Sequence, residues 1–135
     1  MNKVCIKVKK KFTSEQIFIG TLLGGPLVGS YLIGRNFKLL GSNQNANMSY
    51  IVGGMVFLGF LSAWPYLTLR YSVVAFDLSV SALFAIFAKF YQLKTPQLAD
   101  LSADSYWKVA GAIVVGALIS KGAIAALEMI LYGNV

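Results

Sequence analysis

Four long stretches of the chain are nearly free of charge, and short polar segments separate them. Gln16 to Gly34 holds no charged side chain. As a helix at ~1.5 Å per residue it covers ~28 Å, close to the ~30 Å hydrocarbon core of a bilayer. Ser49 to about Leu69 forms a second such stretch, and Pro65 and Arg70 mark a short turn after it. Tyr71 to Tyr91 is the third and Lys108 to Tyr132 the fourth. The polar remainder comprises a basic tail over residues 1–12, a turn-rich Gly-Ser-Asn-Gln-Asn-Ala-Asn loop at 41–47, and residues 92–106, where Thr95-Pro96 breaks the helix and Asp100 and Asp104 are exposed. Thr13 and Gln16 stand in the spacing of a capping box, so a helix is expected to begin between them.

This pattern predicts an all-α membrane protein, one integral domain over residues 1–135. The expected architecture is an antiparallel bundle of four transmembrane helices, with spans near 16–34, 49–69, 71–91 and 108–132. Interfacial aromatics fit it. With four spans, Trp64, Tyr66, Tyr71 and Tyr132 collect at one face and Tyr31, Tyr50, Tyr91, Tyr106 and Trp107 at the other. No A-x-A-like site follows the first apolar run, so it reads as a retained anchor rather than a signal peptide.

Composition narrows the class. Of 135 residues, 57% are hydrophobic and 13% charged, against roughly 25% charged in soluble domains. That excludes a soluble enzyme and a disordered tail. The net charge is +7, and Lys3, Lys7, Lys9, Lys10 and Lys11 fall within the first eleven residues. A basic cluster before a hydrophobic span reads as a cytoplasmic end, with Lys7, Lys9, Lys10 and Lys11 touching anionic headgroups of the lipid bilayer. Nucleic acid is not expected as a partner, because no aromatic platform is interleaved with the lysines. With four spans both termini lie on the cytoplasmic side, six cations inside against four outside, a modest bias.

Catalytic chemistry finds little footing. There is no histidine and a single cysteine, Cys5, so the commonest general base and the usual metal ligands are missing and no internal disulfide can form. No G-x-S-x-G occurs, and an aspartyl intramembrane protease needs two membrane aspartates where only Asp77 lies within a span. The chain is expected to be no enzyme and to use no cofactor or metal.

Gly20/Gly24 and Gly25/Gly29 form two G-x-x-x-G pairs in the first stretch, and Pro26 should kink it near its middle. Those residues either pack helices tightly within the bundle or form a flexible element lining a cavity. The run Gly24-Gly25-Pro26-Leu27-x-Gly29-x-Tyr31-Leu32, followed by Arg35-Asn36-Phe37 and Gly41, with Trp107-Lys108-Val109-x-Gly111 further on, resembles a group of small bacterial inner-membrane proteins. The resemblance implies a four-helix protein of the bacterial inner membrane and supplies no catalytic residue.

Three ionisable groups inside the spans are the best functional lead: Asp77, Lys121 and Glu128. A lysine at the bilayer centre costs ~2.5–3.5 kcal/mol on insertion scales. Lys121 is therefore expected to pair with Asp77, with Glu128, or with both. Such a cluster serves helix register, an ion or proton pathway, or docking. Two functions follow: a non-enzymatic interaction protein, accessory or immunity-type, that meets a membrane-protein partner or its own copies; or a small transporter or channel with a polar seam.

Overall fold

The computed structural model describes residues 9–66, 70–92 and 95–133. Within them every regular element is helical: α1 (Ser14–Gly24), α2 (Pro26–Leu39), α3 (Asn43–Ala63) running into a 3-10 turn (Trp64–Tyr66), α4 (Arg70–Phe87) ending in a π turn (Ala88–Gln92), the single-turn α5 (Pro96–Ala99), and α6 (Tyr106–Tyr132). Three helices are long and apolar enough to cross a membrane, Asn43–Tyr66, Val73–Gln92 and Tyr106–Tyr132. The chain has the character of a membrane protein, with three such helices where four were expected.

The expected first span is two antiparallel helices. Thr13 caps α1 as the sequence predicts, with the full capping box closed by Gln16. After 11 residues, ~16 Å of helix, the chain reaches Gly24-Gly25-Pro26 and turns back. Gly25 has φ 82° and ψ 179°, a combination essentially reserved for glycine. Pro26 then starts α2, where its missing N–H costs nothing. Instead of a kink there is a reversal: Gly20 faces Leu32, Gly29 faces Thr21, and Phe12 lies beside Asn36.

The glycines of the two G-x-x-x-G pairs set the thickness of this hairpin. A Cβ on Gly20 would stand 2.7 Å from Leu32 Cδ1, and Gly24 lies against Val28 and the backbone of Ile113. Gly29 receives Thr21 on one side and Phe84 on the other. The legs thus approach closely, and α1 packs against both α4 and α6, which do not pack along one another. On the far side α2 packs against α3, with Gly53 taking Ser30 and Gly34 taking the Tyr50 ring. Ile17, Val28, Leu32, Ile33, Ala88 and Val109 form the core around the hairpin.

One boundary moves as well. The expected loop at 41–47 is mostly helix, because α3 begins at Asn43, directly after the Gly41 turn at φ 76°. The reversal of residues 14–39 also changes which ends lie together. Phe12, Asn36, Ala103 and Asp104 meet at one end, whereas Trp64 meets Glu128 at the other. Lys11 and Tyr132 therefore lie at opposite ends of the bundle, and a shared side for the two termini no longer follows. Lys9, Lys10, Lys11, Arg35, Lys38, Lys89 and Lys108 all belong to the first end, with only Arg70 of the described cations beginning a helix at the other. Tyr31 sits partway along α2 rather than at a span end.

Candidate functional site

The hairpin is fastened at its open end by buried polar side chains. Asn36, fully buried, accepts from the Phe12 N–H at 2.9 Å and donates to the Phe12 carbonyl at 2.8 Å. Gln16 donates to the Asp104 carbonyl at 2.7 Å, and the π turn brings Gln92 inward to donate to the Ile33 carbonyl at 2.9 Å. Lys11 joins this set. Its ammonium donates to the Leu98 carbonyl at 2.6 Å and its backbone bridges to Ala103. Lys9 and Lys10 are exposed there, while Lys7 lies outside the described residues.

Asp104 closes the clamp. Its carboxylate accepts from Lys108 and from the Ser105 N–H, at 2.9 and 2.7 Å. Burial pushes this carboxyl up, but those bonds and the charges of Lys108 and Lys10 outweigh it and hold it below the usual carboxylate value. The folded state therefore binds the Asp104 proton more weakly than the unfolded chain does. The resulting stability is full above the unfolded carboxylate value and is lost as pH falls through the lowered folded one. Thermal stability in detergent should fall below about pH 4, and Asp104→Asn should flatten that dependence. An identical acid profile in the variant would show that Asp104 has no part in it.

The three intramembrane groups are not assembled into a cluster. Asp77 is partly exposed on α4, on the face of Ser81, whose hydroxyl donates to the Asp77 carbonyl at 2.6 Å. Glu128 accepts from the Trp64 indole at 3.3 Å. Lys121 is exposed and, among the described residues, makes no ion pair or hydrogen bond. The expected pairing of Lys121 with Asp77 or Glu128 is absent. For Asp77 the reason is that α1 lies against both α4 and α6 and those two helices do not pack along one another; for Glu128 it is the seven residues, ~10 Å of helix, that separate it from Lys121 on α6.

Sequence reasoning did not reach the hairpin tip. Gly25 faces Ser120, whose hydroxyl is buried without a hydrogen-bond partner. Ser120 lies fourteen residues into α6, ~21 Å down a helix of ~40 Å. The tip therefore ends near mid-depth, one residue from Lys121. A lateral groove lined by Ser30, Phe37, Met48, Val52, Leu83 and Phe87 measures about 430 Å³. Among the described residues no group of acidic, cysteine or histidine side chains could hold a metal.

Compared with known protein families, curated proteins and solved structures, the chain matches none. The functional reading therefore rests on the geometry alone.

Proposed function

We propose that this chain is a non-enzymatic subunit of the bacterial inner membrane that packs against another membrane component, in an accessory or immunity-type role. One observation carries the reading: the unpaired Lys121 ammonium on the exposed side of a spanning helix. A cation there is costly unless something outside this chain neutralises it. Helix faces rich in glycine and alanine, and the near absence of soluble parts, support the same reading.

The basic end faces the cytoplasm in this proposal. Seven described cations against Arg70 make a far stronger charge bias than six against four. The Tyr132 end of α6 then faces the opposite side of the membrane. A tagged purification in mild detergent tests the function. The wild type should retain a stoichiometric membrane component that Lys121→Met loses. A wild type that arrives alone and monomeric, indistinguishable from Lys121→Met, refutes the reading.

A second reading, a small ion- or proton-linked transporter or channel, draws support from the hairpin tip near mid-depth and the unpartnered Ser120 hydroxyl. The separation of Asp77, Lys121 and Glu128 counts against a polar seam within one copy. Flux through proteoliposomes that disappears in Lys121→Met would favour transport.

A further inference from the structure

We infer that the outer face of α6 docks a transmembrane helix of a different protein, and that this helix carries a carboxylate level with Lys121. The inference rests on the docking reading above and names the chemistry of the partner. Lys121 is fifteen residues from Tyr106 and eleven from Tyr132, ~22 and ~16 Å of helix from the two ends. It is thus deep between interfaces rather than near one, where a lysine could snorkel freely.

The surroundings of Lys121 suit a close helix. Val114, Leu118 and Ala125 stand at helical spacing around it, and all are exposed. A Cβ on the adjacent Gly122 would meet nothing within 4 Å, so a neighbouring backbone can approach there. The face is apolar apart from a single cation. Its complement is an apolar helix with one anion.

The chain's own carboxylates do not supply that anion. Glu128 is engaged by Trp64, and Asp77 shares its α4 face with the fully buried Ser81, so it is turned toward the bundle rather than the outer surface. A second copy meeting the first through α6 does not supply it either. Copies in one membrane are related by an axis along the bilayer normal, which sets Lys121 level with Lys121 of its mate. Like charges at one depth repel, and the mate's Glu128 lies seven residues lower, ~10 Å along the helix.

The test uses a polyleucine transmembrane peptide with one central Asp, alongside Asn and all-Leu versions, reconstituted with the full-length protein in phosphatidylcholine vesicles. Energy transfer between labelled partners reads association. The Asp peptide should be captured on the order of tenfold better than the all-Leu peptide. Lys121→Met should abolish the preference, Lys121→Arg should keep it, and Lys121→Glu should transfer it to a Lys peptide. Helical content by circular dichroism controls for folding of each variant.

Equal capture of Asp and Leu peptides overturns the inference, as does a preference that survives in Lys121→Met. So does self-association in which Lys121 of one copy crosslinks to Asp77 of another. If the Asp peptide is ignored while Lys121→Met still loses its co-purifying component, docking stands and the carboxylate does not. If neither effect is seen, both readings fall.

Discussion

Replacing Asn36 with leucine should remove about 2–6 kcal/mol of stability, because two buried backbone groups lose their partners at ~1–3 kcal/mol each. Asn36 is fully buried and serves both the N–H and the carbonyl of Phe12, itself nearly inaccessible. Leucine has similar bulk and offers neither a donor nor an acceptor. No other side chain of the hairpin bonds the Phe12 backbone, and water has poor access to it. The variant should unfold at markedly lower temperature in detergent, and hydrogen exchange should rise first across residues 12–24. A leucine variant with unchanged melting and exchange would mean that the Asn36–Phe12 bonds do not hold the open end of the hairpin.

The second large effect is expected at Gly116, where even one methyl group is too many. A Cβ there would lie 2.6 Å from the carbonyl oxygen of Gly24 and would also strike Val28. That oxygen belongs to the last residue of α1, fixed by the turn at Gly25, so it has nowhere to retreat. Gly116→Ala should therefore destabilise and Gly116→Leu should do so more, by ~1–3 kcal/mol or above. Gly111 is the matched control. It lies on the same helix, and a Cβ there would meet nothing, so Gly111→Ala should be neutral or gain ~0.5–1 kcal/mol from reduced chain entropy. Opposite signs at the two glycines, read by thermal unfolding, would support close contact of α6 with the hairpin tip. Equal responses would refute it.

The three spanning helices were legible because length and apolarity are what a bilayer demands of a span. The expected 71–91 and 108–132 lie within two residues of Val73–Gln92 and Tyr106–Tyr132, while the expected 49–69 starts six residues after Asn43–Tyr66 does. The hairpin was not, because Gln16–Gly34 satisfies the same length rule as one crossing. Its signals were present but local. Gly24-Gly25-Pro26 joins a residue free to take positive φ to one that starts helices well. Gln16, Thr21, Ser30 and Asn36 are polar residues that all become buried. The weak six-to-four charge bias was a third signal, since folding the first stretch back on itself gathers nearly all the described cations at one end. The ion cluster failed for a related reason. Depth counting compares positions along helix axes, and it cannot detect a hairpin that keeps α4 and α6 apart.

Among the described elements the hairpin comes first along the chain, yet several of its fastenings come from far beyond it. Gln16 waits for Asp104, 88 residues later; Lys11 waits for Leu98, 87 later; and Gly24 rests against Gly116. Contacts at such separations form only after the intervening chain is made, and each carries the entropy of closing a long loop. Residues 14–39 are too short as two legs to cross a bilayer, and until the chain from Leu98 to Gly116 arrives they lack the Leu98 and Asp104 fastenings and the wall that α6 supplies. The hairpin is therefore secured only after the helices that follow it, and the arrival of α6 is the step that completes its packing.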